Sequence, residues 1–165
     1  MKPGVPPSIR VAASRDDFAQ ARALFEEYAA WLKVDLCFQG FAEELATLPG
    51  AYAPPRGMLV LAGPVDAAIG CVALRPLAGE GSMAGGVAEI KRLYVKPIAR
   101  GTGLGMRLAH AVIDGARGIG YREVKLDTLE HMVEARALYA QLGFRACAPY
   151  YHNPIPGAVY MSRLL

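Results

Sequence analysis

The sequence predicts one α/β domain, a mixed sheet with helices on both of its faces. A chain of 165 residues and 17.6 kDa has room for a single core, and roughly 70% of the unfolded surface is buried near this length. Its middle runs strand, helix, strand, helix, strand, an order that favours parallel neighbours joined by a helical crossover. Two apolar runs joined by a Gly-Pro turn precede that middle, so part of the sheet must be antiparallel.

The elements follow in order. Residues 1–8, rich in proline, are expected to form a flexible N-terminal segment, with the domain covering 9–165. Ile9 to Ala12 reads as a short strand. Ser14 is an N-cap candidate with Asp16 and Asp17 in the first turn, and Phe18, Ala21, Leu24, Phe25, Tyr28 and Leu32 then recur at helical spacing. A second helix is expected from Phe41 to Leu48, stopped by Pro49-Gly50. Met58 to Ala62 and Ala68 to Leu74 form the hairpin. Leu77 to Gly86 holds Gly79, Gly81, Gly85 and Gly86 and reads as a loop. In the fourth strand, Val87 to Val95, an imperfect alternation puts Ala88, Ile90 and Arg92 on one face and Glu89, Lys91 and Leu93 on the other. A helix over Leu104 to Arg117, with Leu104, Leu108, Ala111, Val112 and Gly115 on one stripe, leads to a strand at Val124 to Asp127. A helix over Val133 to Leu142 and strands at Phe144 to Ala148 and Ala158 to Leu164 complete the chain.

Composition bounds the function. With 53% hydrophobic and 20% charged residues the chain is not disordered, and a net charge of +3 is too small to indicate a nucleic-acid binder. Cys37, Cys71 and Cys147 lie far apart with no metal-ligand spacing, which suits reduced thiols and a cytoplasmic setting and points to no metal. No signal-peptide run and no apolar span of membrane length occurs, so no membrane partner is expected.

The segment Arg100-Gly101-Thr102-Gly103-Leu104-Gly105 carries the most chemistry. Its glycines allow a tight turn between a strand and a helix, so that successive N–H groups at the helix start can face phosphate oxygens, with Arg100 adding positive charge. A plain geometric connector would look similar. No Lys-Ser/Thr pair follows, which excludes a Walker A loop, and Met106 and Leu108 stand where a dinucleotide-binding G-x-G-x-x-G would need its last glycine.

Arg100, Gly103 and Gly105 do fit R/Q-x-x-G-x-G/A, and Tyr139-Ala140-Gln141-Leu142-Gly143-Phe144 fits Y-x-x-x-G-F. On these two motifs the chain resembles N-acetyltransferases of the GNAT superfamily, most closely from about Ala88 to Phe144. The resemblance implies a mostly antiparallel sheet of six to seven strands that parts between its fourth and fifth strands, near Tyr94 and Leu126. It implies acetyl-CoA as acyl donor, with Leu93, Tyr94 and Val95 along the pantetheine and Arg100, Gly101, Thr102, Gly103, Leu104 and Gly105 around the pyrophosphate. Where many relatives carry Asn to bond the pantetheine, this chain has Met132.

Transfer of an acetyl group from a thioester to an amine needs a neutral amine, a polarised carbonyl and a proton for the leaving thiolate. The resemblance implies Tyr139 as proton donor and an N–H near Leu93 for the oxyanion. Glu89, 11 residues before Arg100, resembles the general base of the histone-acetyltransferase branch; the alternative is a strand carboxylate paired with Lys91, Arg92 or Lys125. Asp127, at the carboxyl end of its strand, is a candidate to orient the amine or Tyr139. Tyr150 and Tyr151 are expected to wall the acceptor side, with His152 a further candidate base or a surface histidine. Glu43 and Glu44 either attract a cationic amine or form a solvated helix face. The implied partner is a small-molecule or peptide amine, with homodimers common among relatives. A non-catalytic acyl-CoA sensor of the same fold is the competing reading.

Overall fold

The computed structural model describes residues 5–77 and 86–165. The glycine-rich segment assigned to a loop falls on 78–85, outside the described residues. Seven strands, β1 (Ile9–Val11), β2 (Met58–Ala62), β3 (Gly70–Pro76), β4 (Val87–Val95), β5 (Glu123–Leu129), β6 (Arg145–Ala146) and β7 (Ala158–Leu164), form one sheet in the order β1-β2-β3-β4-β5-β7-β6. Only β4 and β5 run parallel. Helices α1 (Arg15–Leu32) and α2 (Phe41–Thr47) cover one face, and α3 (Leu104–Ile119) and α4 (Val133–Gln141) the other. None of the described helices is long and apolar enough to cross a membrane.

Local sequence sets the helix ends. Ser14 Oγ accepts from Asp17 N–H at 3.1 Å while Asp17 Oδ2 accepts from Ser14 N–H at 3.2 Å, a reciprocal capping box that starts α1. Helix α3 ends at Gly120, whose φ of 104° a residue with a Cβ rarely adopts. Just before β1, Ser8 bonds Gly63 through both its hydroxyl and its carbonyl.

Each face of the sheet has its own apolar layer. Ala21, Leu24 and Phe25 of α1 pack on Leu59, Leu61 and Ala73, while Leu104, Leu108, Val112 and Ile113 of α3 pack on Val60, Val72, Ala88 and Ile90. The buried stripe of α3 is turned from the expected one, with Ala109, Ile113 and Ala116 buried and Ala111 only partly so. At Gly115 a Cβ would lie 2.4 Å from the terminal methyl of Met58, so a larger residue there would have to displace the end of that flexible side chain.

Two irregularities in the middle of the sheet shape the site. The parallel β4–β5 ladder runs only from Val87↔Glu123 to Glu89↔Lys125, so the strands part before Tyr94 and Leu126. Between Cys71 and Ala73 the β3–β4 register slips by one residue, and Arg92 takes φ of 59°. This bulge overturns the alternation expected for β4. Arg92 turns to the α2 face, while Leu93 and Val95 join the α3 face and Tyr94 the α1 face.

Candidate functional site

A cleft of about 1090 Å³ opens where β4 and β5 separate. It is at the upper end of the volumes that small ligands occupy, as an extended ligand requires. Leu93, Tyr94 and Val95 line one side, and Leu138 and Tyr139 of α4 another. Because β5 leaves the ladder after Lys125, the edge of β4 facing it beyond Glu89 has no neighbouring strand. That geometry offers backbone N–H and C=O groups to a ligand lying between the strands.

At one end of the cleft stand Arg100, Gly101, Gly103, Leu104 and Gly105. Gly101 and Gly103 have φ of 74° and 80°, and Gly103 caps α3 without any side-chain hydrogen bond. The first-turn N–H groups of α3 therefore have neither an intrahelical partner nor a capping side chain, the arrangement that receives anions. Thr102 departs from expectation: its hydroxyl donates to Ala99 C=O at 2.7 Å, closing the loop on itself, and it does not line the cleft. Arg100 Nε donates to Val95 C=O at 3.0 Å, and its guanidinium lies 4.6 Å from the centre of Trp31 and 5.7 Å from that of Tyr94. The cationic end of the cleft is thus braced by Trp31, which in the sequence is only one more residue near the end of an amphipathic helix.

Tyr139 is 8% exposed and packs edge-on against Phe144 with ring centres 5.6 Å apart. Its hydroxyl makes no hydrogen bond to any described residue, and burial pushes its phenol well above the ordinary range. It therefore keeps its proton at any physiological pH. Met132 begins α4, receives a weak contact from the Thr128 hydroxyl at 3.6 Å and lines the cleft, an apolar presence where many relatives have Asn.

Another part of the cleft meets a charged cluster that only the fold assembles. Lys91 Nζ sits 3.1 Å from Asp127 Oδ1 and 3.4 Å from Glu89 Oε1. Asp127 also accepts from the Tyr151 hydroxyl at 2.5 Å and Asn153 Nδ2 at 3.0 Å. Burial by itself would raise the Asp127 carboxyl, but the Lys91 charge and these hydrogen bonds outweigh it and hold the group below its ordinary value. Asp127 lines the cleft as an anion.

Glu89 does not reach the cleft. Its carboxylate, 2% exposed, accepts from Arg75 at 2.8 Å and from the Tyr150 hydroxyl at 3.0 Å besides facing Lys91. Of the pairings foreseen, that with Lys91 is realised, Arg92 pairs with Glu44 instead, and Arg75 joins the cluster because it stands directly opposite Glu89 in the β3–β4 register. Tyr150 and Tyr151 likewise stand behind Glu89 and Asp127 and are absent from the cleft wall; Asn153 and Ile155 of the same tail are present. His152 is exposed.

Glu44 is neither free for a cationic amine nor solvated. It pairs with Arg92 Nε at 2.9 Å and accepts from the Tyr52 hydroxyl. Arg92, 5% exposed, lines the cleft, and its Nη2 has no partner among the described residues. Gln39 lines the same cleft. It donates through Nε2 to Tyr151 at 3.3 Å, and its Oε1 is also unpartnered. Their only signal in the sequence was their place, Gln39 between the first two helices and Arg92 on the fourth strand.

Comparison with known proteins places this geometry in context. The model of the Acetyltransferase (GNAT) family matches residues 15–144. An uncharacterized N-acetyltransferase of Schizosaccharomyces pombe is 41% identical over 155 residues, which cover 93% of this chain and 90% of that protein. An acetyltransferase structure from Streptococcus agalactiae superposes with a TM-score of 0.76 at 20% identity, covering 97% and 99% of the two chains. Arabidopsis thaliana NAA60, solved in complex with acetyl-CoA, superposes with a TM-score of 0.69 at 18% identity, covering 96% of this chain and 98% of that one.

Proposed function

Since this chain belongs to the Acetyltransferase (GNAT) family and is an N-acetyltransferase, we propose that it transfers an acetyl group from acetyl-CoA to a primary amine by direct attack, without a covalent enzyme intermediate. The observation that carries the reading is the open edge of β4 beyond Glu89, which leads straight to the uncapped start of α3. The residues present fit the donor: glycines in the left-handed region at one end, an unpaired strand edge along the cleft, and a protonated phenol beside it. When bound, acetyl-CoA supplies the activated acyl carbon.

In this reading the N–H groups of the Gly101–Gly105 turn and the Arg100 charge hold the pyrophosphate, and Leu93 to Val95 hold the pantetheine by strand-like bonds. A β4 N–H near Leu93 receives the oxyanion. Asp127, ionised and facing the cleft, holds and orients the incoming amine, while its depressed basicity makes it a poor proton acceptor. The neutral amine adds to the thioester carbonyl and forms the C–N bond; as the tetrahedral adduct collapses the C–S bond breaks, the Tyr139 hydroxyl gives its proton to the thiolate, and the proton lost from the amine nitrogen passes through water to the Tyr139 oxygen and restores the hydroxyl. Glu89 takes no proton from the substrate. It fixes Lys91 and Tyr150, and through Lys91 it holds Asp127 in place. Three free cysteines accord with the cytoplasmic setting that the reading includes.

A thermal-shift titration with acetyl-CoA tests this, with Gly103→Val alongside. Saturation at about 100 times the dissociation constant stabilises by roughly 2.7 kcal/mol, or about 5–11 °C for a domain of this size. Gly103→Val, strained at φ 80°, should lower the starting midpoint and remove most of the rise. Absence of a saturable rise at millimolar acetyl-CoA in the unsubstituted protein would defeat the proposal.

A further inference from the structure

The acceptor end of the cleft holds two polar atoms for which the described protein supplies no partner, and they are of opposite kind. Arg92 Nη2 is a donor on a side chain 3% exposed, and Gln39 Oε1 is an acceptor. A buried polar atom without a partner is costly, and the donor belongs to a guanidinium whose bonds to anions are the stronger, charge-assisted kind. Arg92 is also held in the left-handed region at the β4 bulge, a strained conformation for a residue other than glycine. The surrounding packing fixes the side chain firmly: Nε is engaged by Glu44, and the guanidinium lies 5.0 Å from the centre of the Phe41 ring. Arg92 lines the cleft, and its Nη2, buried within that wall, has no partner among the described residues, so an oxyanion seated beside it would meet a fixed cation.

The charges nearby agree. Lys91 is neutralised between Glu89 and Asp127, whereas Lys33, exposed on the cleft wall, has no ion pair among the described residues. An acceptor bringing only positive charges would meet Lys33 and Arg92 and leave Nη2 unsatisfied.

Resting on the acetyltransferase reading, we infer that the acceptor is an amino acid, its carboxylate bound by Arg92 Nη2 and its amine by Gln39 Oε1 and Asp127. Polyamines and other acceptors lacking an acid group are disfavoured by the same atoms.

Calorimetric titration of the CoA-saturated protein with the common L-amino acids, each paired with its carboxamide and its decarboxylated amine, tests this. At least one amino acid should bind at least tenfold more tightly than both of its counterparts. In Arg92→Lys, which keeps a charge on Glu44 but removes the free Nη2 edge, that ratio should shrink to within about twofold. Gln39→Leu, which leaves the Arg92–Glu44 pair intact, should weaken amino acid and carboxamide alike. Equal binding of the three forms by the unsubstituted protein, no binding by any of them, or an undiminished ratio in folded Arg92→Lys would overturn the inference. If acetyl-CoA binds and simple amines are acetylated without preference for the acid, this inference falls and the acetyltransferase reading stands. If acetyl-CoA does not bind, the reading falls with it.

Discussion

Replacing Tyr139 by Phe separates chemistry from packing more cleanly than any other change in this molecule. The hydroxyl has no hydrogen-bond partner among the described residues, so its removal orphans nothing, while the ring keeps its edge-on contact with Phe144 at 5.6 Å and its place beside Leu142 and Leu138. The expected change in stability is within about 0.5 kcal/mol, a shift of no more than about 2 °C. The rate is another matter. A positioned acid contributes 10²–10⁴-fold, so kcat measured by thiol release should fall by at least roughly 100-fold, about 2.7 kcal/mol of barrier. Acetyl-CoA affinity should stay within about threefold, since the hydroxyl takes no part in holding the pyrophosphate. Burial raises the phenol further from neutrality, so the unsubstituted enzyme should show no falling limb from Tyr139 below pH 10. A variant retaining a third of kcat, or one losing affinity and rate together, would refute the assignment.

Two further outcomes concern stability. Glu89→Gln leaves Arg75 and Lys91 facing a neutral amide at a site 2% exposed; breaking such a pair costs about 3 kcal/mol or more, so the melting midpoint should drop by roughly 6–12 °C. An unchanged midpoint would show that the cluster is not structural. Asp17, held at a pKa of about 2 by backbone N–H groups of Ala13 and Ser14 and by Arg10, is depressed from 3.8 in the unfolded chain. Between those values the unfolded state binds more protons, so the stability Asp17 contributes is complete above about pH 4 and is lost as pH falls toward 2. Asp17→Ala should cost about 1–2 kcal/mol at pH 7 through the lost capping box and should flatten the acid dependence of the denaturation midpoint below pH 4; equal slopes in the two proteins would contradict this.

Much of the fold and one end of the site were legible in the residues themselves. The Ser14–Asp17 box, the α1 stripe, the hairpin and the Gly101–Gly105 turn depend on spacings within a few residues, where backbone geometry and apolar periodicity act directly. The two motifs around Arg100 and Tyr139 were equally local, and the resemblance they carried extended to the parting of β4 from β5. The acceptor end was different. Alternation predicted the wrong faces for Arg92 and Leu93, because the bulge arises from how β4 meets β3 and not from the residues of β4. Glu89 could be suspected as a base only while its neighbours were unknown; Arg75 is 14 residues away and Tyr150 is 61, and the two together close it off from the cleft. The same is true of Arg92 with Glu44 and of Asp127 with Tyr151. Sequence by itself determined the elements and the glycine turn before α3, since those follow from short-range sterics and hydrogen bonding. Tertiary structure alone decided which charges neutralise one another and which polar atoms are left facing the cleft, because burial and pairing are properties of residues brought together across the sheet.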